Sequence, residues 1–337
     1  MAPNTKIFLT GATGYIGGDV LYSLVKAHPD FEYTLLVRNE ERGKPVAAAY
    51  PNARLVYGTL DDADVIEKEA AAADIVVHTA DSADNVPSAK AIAKGLAAGH
   101  TASKPGHWLH LCGTGLLTWY DAAHERYGQA PLPEQRYHDI DDVARITSLP
   151  DTAIHRDVDK LVIAANEAPG VKTMIVSPPT IYGQGRGPGN QRSIQVPGVV
   201  DFTLKNNFAP IQAPGLTEWD HVHIRDLGDF FVLAVDAALD PAKSQNPEIF
   251  GPNAYFFVES GTHKWSDVSK WVATEAAKQG LIPEAIAKEI DIPKMGTNSK
   301  SVAARARKYL GWEAKHPKLK DTIPEVVASE AKRLGKA

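Results

Sequence analysis

Near the start of the chain, Gly11, Gly14 and Gly17 stand at G-x-x-G-x-x-G spacing, after the apolar run Ile7-Phe8-Leu9 and before a helical pattern opening at Tyr15. That context has a definite chemistry. Gly11 permits a tight turn, Gly14 lets the backbone approach a pyrophosphate, and Gly17 lets helix and strand pack closely. The unpaired N–H groups and the dipole at the helix N-terminus then favour an anion. The next strand ends Val37-Arg38-Asn39, with no carboxylate where an NAD-selective site presents one to the ribose. A guanidinium there pairs bidentately with a 2′-phosphate, and Arg42, one turn on, is placed to assist. The expected cofactor is NADP(H), with Glu40 and Glu41 keeping NAD open.

Groups able to move protons lie further along. In the helical pattern at 152–167, Ile154, Val158, Leu161, Val162 and Ala165 form a stripe expected to face a sheet. At about 100° per residue, His155 points away from the side shared by Arg156 and Lys160. It lies one turn from Asp159, with which it can pair, and an imidazole titrating near neutrality can serve as a general acid. His221 and His223, two apart on an expected strand, share a side, but no third ligand clusters with them in sequence and no metal is expected.

The elements that position these groups alternate. Strand-like runs at 6–10, 33–37, 54–57, 75–79, 108–112 and 172–176 are separated by helical patterns from Tyr15, Asp62 and Ala83 and by the one at 152–167. This is the pattern of a parallel sheet covered on both faces. The Pro/Gly-rich segment 177–198 reads as an ordered loop. Beyond it come strands at 221–224 and 255–258 and helices at 226–238, 266–279, 301–310 and 323–334. The segment 116–150 reads as an insertion over the cleft.

T-G-A-T-G-Y-I-G-G (10–18), V-V-H-T-A (76–80), S-P-P-T-I-Y-G (177–183), D-H-V-H-I-R-D (220–226) and Y-L-G-W (309–312) together resemble the extended short-chain dehydrogenase/reductase family, which includes sugar-nucleotide epimerases and dehydratases. The resemblance spans nearly the whole chain. It implies a doubly wound parallel Rossmann α/β sheet with a smaller C-terminal α/β substrate lobe. Residues 1–176 would form the cofactor domain, with 221–250 packing back on it, and 177–220 with 251–337 the lobe. Cofactor contacts are implied at Gly11, Thr13, Gly14, Tyr15, Ile16 and Gly17, at Arg38 and Arg42, at Thr59 and Leu60, at Thr79 and Ala80, at Lys160, and at Pro178, Thr180 and Ile181. Thr114 matches the family's catalytic hydroxyl and Lys160 its lysine. Arg156 stands where the family has its tyrosine, and an arginine is a poor proton donor near neutrality. The literal Tyr22-x-x-x-Lys26 lies on the wrong helix. The proton would come from His155, from a tyrosine of the insertion (Tyr120, Tyr127 or Tyr137), or from water.

Composition bounds the rest. The 337 residues are 44% apolar and 23% charged with a formal charge of −5, so neither nucleic acid nor an anionic membrane is an expected partner. Cys112 is the single cysteine and no apolar run is long enough to span a bilayer, which leads to a cytoplasmic expectation. The expected partner is a small-molecule substrate, on a monomer or homodimer. Three functions follow: an NADPH-dependent oxidoreductase delivering hydride to a carbonyl or imine-like carbon; a sugar-nucleotide epimerase or dehydratase with Arg186, Arg192 and Arg225 as a diphosphate clamp; and a non-enzymatic NADP(H) sensor.

Overall fold

Seven strands run parallel in the order β3-β2-β1-β4-β5-β7-β11. They are β1 (Lys6–Thr10), β2 (Glu32–Val37), β3 (Arg54–Tyr57), β4 (Ile75–His78), β5 (Gly106–Leu111), β7 (Val171–Ser177) and β11 (Tyr255–Phe257). The structure, a computed structural model, describes residues 4–292 and 296–336. Strands β4 and β5 are buried at every position, because both sheet faces are covered and a strand between two layers has no solvent side. Helix α1 (Tyr15–Ala27) carries the chain from β1 towards β2, whereas α4 (Val86–Gly99) carries it from β4 the other way to β5. Right-handed crossovers place these helices on opposite faces. Helices α2 (Glu40–Ala49) and α3 (Ala63–Ala72) complete the first half, α3 packing on α4.

After β5 come α5 (Trp119–Ala123), β6 (Arg136–His138) and α6 (Val143–Thr147), then α7 (Arg156–Ala164), which packs on α4. Strand β8 (Thr180–Tyr182) pairs with β10 (Glu218–His223), which pairs in turn with β12 (Gly261–Lys264). Helix α9 (Ile224–Leu239) lies on α1 and is followed by the short α10 (Pro241–Ser244). The smaller lobe gathers α8 (Gln195–Asn206), β9 (Ala209–Gln212), α11 (Trp265–Lys278), β13 (Ala287–Ile290) and α12 (Leu319–Arg333). Its own core includes Val200, Leu204, Val268, Val272, Ile323 and Val327. Strand β14 (Lys300–Val302) pairs with β6 and ties the 116–150 insertion to the C-terminal part of the chain.

Several local expectations are corrected. Helix α7 starts at Arg156 rather than near 152, and Ile154 is half exposed instead of facing the sheet, although Val158 and Val162 are buried. The cause is His155, whose left-handed backbone (φ 69°) breaks the helix before it can extend backwards. The region expected as a helix at 301–310 divides into β14 and a π-helical turn, Ala306–Leu310. The 177–198 loop contains β8, and α8 begins before it ends. Residues 255–257, expected in the lobe, form the edge strand β11 of the main sheet because β7 offers it a parallel partner.

Candidate active site

Ligands of doubly wound sheets lie beyond the carboxyl ends of the strands, where the strand order reverses. Here that point falls between β1 and β4, and a cavity of about 430 Å³ opens there. The glycine turn supplies Gly11, Thr13, Gly14, Tyr15, Ile16 and Gly17 to its wall; Arg38 and Arg42 follow β2, Thr59 and Leu60 follow β3, and Thr79 and Ala80 follow β4. Leu36, Val37, Gly58, Asp81, Asn190 and Ile194, none of them expected from the sequence as a cofactor contact, complete it.

The turn fits a pyrophosphate. Gly11 has φ +90°, and a methyl group on Gly17 would overlap Gly11 O and Thr79 Oγ1. A methyl group on Gly14 would meet only Gly11 O, at 3.2 Å, so Gly14 borders the open cavity. The N-terminus of α1 has no side-chain cap and no acidic residue in its first turn, which leaves its N–H groups and dipole free for an anion. Arg38 and Arg42 are both exposed, and neither pairs with a carboxylate among the described residues. Asn39 caps α2 by accepting from Arg42 N (3.0 Å). Thr59 donates through its amide (2.6 Å) and hydroxyl (2.9 Å) to Asp62, and these bonds hold the Asp62 carboxyl below its usual range.

Beyond the cavity, β5 runs into Gly113-Thr114-Gly115, and His155 reaches this loop from the start of α7. A methyl group on Gly115 would lie 3.2 Å from His155 Nε2, and one on Gly113 3.9 Å. The other ring nitrogen, Nδ1, lies 2.6 Å from Asp84 Oδ1 in the loop after β4. The expected partner was Asp159, but the left-handed backbone turns the ring away from its own helix. Asp159 is buried and accepts from Tyr255 Oη instead (2.9 Å). Asp84 was missed, although a carboxylate just past the end of β4 sits on the ligand-binding edge of such a sheet.

The remaining candidates are not gathered here. Arg156 is buried and donates to Leu149 O (3.2 Å) and Thr147 O, bracing the chain ahead of α7. Lys160 is exposed and ion-paired with Asp151, outside the cavity. Thr114 is buried, its hydroxyl and carbonyl both within reach of Ser299 Oγ (2.9 and 2.8 Å). Pro178 accepts from Thr114 N (3.0 Å), while Thr180 and Ile181 are paired into β8 against His221 and Val222. None of these three lines the cavity. Among the insertion's tyrosines, Tyr137 is buried and accepts from Trp119 Nε1, and Tyr120 stacks on His124.

His221 and His223 do share a side, both rings standing edge-on to Tyr182. They separate chemically. His221 Nδ1 faces His263 Nδ1 (3.1 Å), whereas His223 joins Asp226 and His316, a donor set close enough to hold a metal ion. Asp226 Oδ1 accepts from His316 Nδ1 (2.7 Å) and Lys315 N (2.8 Å), and His223 Nδ1 accepts from Arg225 N. These bonds tether the segment after Trp312 to α9. Burial lowers both His221 and His223 to about 4.

A parallel sheet with a glycine turn and an anion-ready helix at its switch point defines a nicotinamide-dinucleotide-binding protein. Comparison with known proteins agrees. Residues 11–108 match a family described as NAD(P)H-binding, and residues 118–249 match the NAD dependent epimerase/dehydratase family. The chain is 34% identical to the oxidase ucsJ of Acremonium sp, over 98% of this chain and 99% of that protein. It is 26% identical to a dTDP-glucose 4,6-dehydratase of Mycobacterium tuberculosis over 66% of each chain. In fold it is similar to the UDP-glucose 4-epimerase of Thermotoga maritima (TM-score 0.67, 15% identity, covering 98% of this chain and 100% of that one). It is likewise similar to the dTDP-glucose 4,6-dehydratase DesIV of Streptomyces venezuelae (0.69, 14%, 98% of each). The chain belongs to the NAD-dependent epimerase/dehydratase family of extended short-chain dehydrogenase/reductases. No helix among the described residues is long and apolar enough to cross a membrane.

Proposed function

We propose that this chain is an NADP(H)-dependent oxidoreductase that exchanges hydride with a carbonyl or imine-like carbon of a small organic molecule, using His155 as the proton-transferring group. The observation that carries the reading is the His155–Asp84 pair facing the Gly113–Gly115 loop beside the dinucleotide cavity. When bound, the dinucleotide supplies or accepts the hydride. His155 Nδ1–H donates to Asp84, which fixes the ring, and Nε2 gives a proton to the oxygen developing negative charge. In the reverse direction Nε2 takes that proton back. A non-glycine residue held in the left-handed region costs on the order of 1–3 kcal/mol, and such residues cluster at active sites. Arg38 and Arg42 support the phosphorylated cofactor, because paired N–H donors suit a phosphate and offer a bare ribose no acceptor.

The relative named an oxidase supports redox chemistry. The sugar-nucleotide alternative loses two of its three clamp arginines: Arg186 is spent on Asp19 (2.7 and 2.9 Å) and Arg192 on Glu330, which leaves Arg225 alone. The test is to follow reduced-nicotinamide absorbance with NADPH and a panel of aldehydes, ketones and cyclic imines, and with NADP⁺ and the matching alcohols and amines. Turnover that His155→Phe removes without weakening NADPH binding supports the reading. Tight NADPH binding with no turnover on any of them, in either direction, would replace it with the sensor reading.

A further inference from the structure

The second lobe holds a cavity of about 270 Å³ that the dinucleotide does not need. Its walls are Val199 and Phe202 of α8, Pro210 of β9, Trp219 of β10, Trp265 at the start of α11, and Ile292. Among the described residues, no charged side chain lines it. The indoles of Trp219 and Trp265 stand 6.3 Å apart, centroid to centroid, at 63°. Trp219 Nε1 already donates to Thr297 O (2.6 Å), so its polar edge asks nothing of a ligand.

Two features join this cavity to the reaction centre. The chain passes directly from Ile194, in the wall of the dinucleotide cavity, to Gln195, in the wall of this one. Ile194 is 80% exposed, an apolar side chain standing in solvent at that junction. On the other side, Trp219 is bridged to Ser299, whose hydroxyl touches Thr114 in the loop that His155 faces. Within α8, a methyl group added at Gly198 would meet nothing within 4 Å, so the helix leaves room where the cavity opens.

Resting on the oxidoreductase reading, we infer that this cavity is the substrate's recognition subsite, and that it takes an uncharged aromatic or fused-ring portion of the substrate. Aromatic walls reward a flat apolar group by burial and edge-to-face contact. They penalise a phosphate, which would be stripped of water with no cation among the described lining residues to meet it. The volume accommodates a fused two-ring hydrocarbon, and the reacting carbon would then project past Gln195 and Ile194 towards His155.

The test is equilibrium binding to the full NADP⁺-loaded chain, by calorimetry and by quenching of tryptophan emission, with acetonaphthone and with uridine diphosphate glucose as probes. Acetonaphthone is expected to bind and quench, and the sugar nucleotide to do neither. Gly198→Phe should weaken acetonaphthone at least tenfold while NADPH affinity and Tm stay unchanged, and Gly198→Ala should leave it bound. Should Gly198→Phe not fold, Trp219→Phe provides the second measurement, since it should remove a large part of the quenching. The inference falls if acetonaphthone does not bind, if it binds the parent and Gly198→Phe equally, or if uridine diphosphate glucose binds and is weakened by the same substitution. Binding is read without turnover. Bound acetonaphthone with no hydride transfer to any carbonyl or imine, nor from any alcohol or amine, would therefore overturn the oxidoreductase reading alone, and turnover of aliphatic carbonyls without acetonaphthone binding would overturn this inference alone.

Discussion

His155 Nδ1 meets Asp84 Oδ1 at 2.6 Å across 71 positions of chain, joining the start of α7 to the loop after β4. If this pair handles the proton, His155→Phe should lower turnover on a neutral carbonyl by about 10²- to 10⁴-fold. Asp84→Asn keeps the imidazole but replaces the carboxylate with a neutral amide, whose NH2 can face Nδ1 and hold the ring in the wrong tautomer, so a smaller fall of about 10- to 10³-fold is expected. Calorimetry should find NADPH affinity unchanged in both. A parent-like kcat in Asp84→Asn would mean that the contact does not serve catalysis.

The two arginines at the end of β2 predict cofactor choice. Arg38 and Arg42 are exposed on the cavity wall with no carboxylate to neutralise them among the described residues. Hydrogen bonds to a charged group contribute about 1.5–3 kcal/mol, which corresponds to a preference for NADPH over NADH of about 10- to 100-fold in binding. Arg38→Asp should abolish or reverse it. Equal affinities in the parent chain would remove the argument.

Two glycines of the same turn should fail differently. A side chain at Gly17 collides with the backbone of Gly11, so Gly17→Val is expected to lower Tm sharply. At Gly14 the space is open towards the cavity, so Gly14→Val should keep its Tm and lose the dinucleotide. Parallel thermal denaturation and binding measurements separate the two. Retained NADPH binding in Gly14→Val would place the phosphates elsewhere.

The glycine turn was legible in the sequence because its demands are local: a positive φ at Gly11 and a close approach at Gly17 are written into three residue types. The α7 region was not, because reading His155, Arg156 and Lys160 on one continuous helix assumed that the helix began at 152. Only the folded chain brings Asp84 under His155. Helix α2 escaped notice because Pro45 lies inside it. Helix α8 escaped because Pro197 and Gly198 look like loop, yet a proline in a first turn removes an N–H that has no helical partner anyway. Strand β14 looked helical because its partner, β6, lies some 160 residues away in the chain.

Arg156 and Lys160 can be told apart by what each loses. Arg156→Ala would leave the carbonyls of Thr147 and Leu149 without their donor in a buried setting, and a loss of about 2–3 kcal/mol is expected in denaturant unfolding. Lys160→Ala removes an exposed ion pair with Asp151 and should change stability by less than about 1 kcal/mol. Because Lys160 lies outside the cavity, its removal should leave the Michaelis constant for NADPH unchanged, in contrast to the ribose contact that the family resemblance implies. A severalfold rise in that constant would restore the family role.

A buried carboxyl one turn after His155 predicts how stability varies with pH. Asp159 is fully buried; Tyr255 Oη donates to its Oδ2, and its Oδ1 has no hydrogen-bond partner among the described residues. Burial pushes this carboxyl up to about 6, from an ordinary 3.8. The folded chain therefore keeps a proton that the unfolded chain releases between about pH 4 and pH 6. Stability from this site is greatest below the unfolded value and declines as pH rises through that window, levelling off above the folded value. Two pH units correspond to at most about 3 kcal/mol. Asp159→Asn keeps the shape and the acceptor for Tyr255 while removing the charge. It should have a Tm near the parent's at pH 4 and above it at pH 8, so that the parent loses more on going from one to the other. Identical changes in Tm for parent and variant over that interval would show that Asp159 takes up no extra proton on folding.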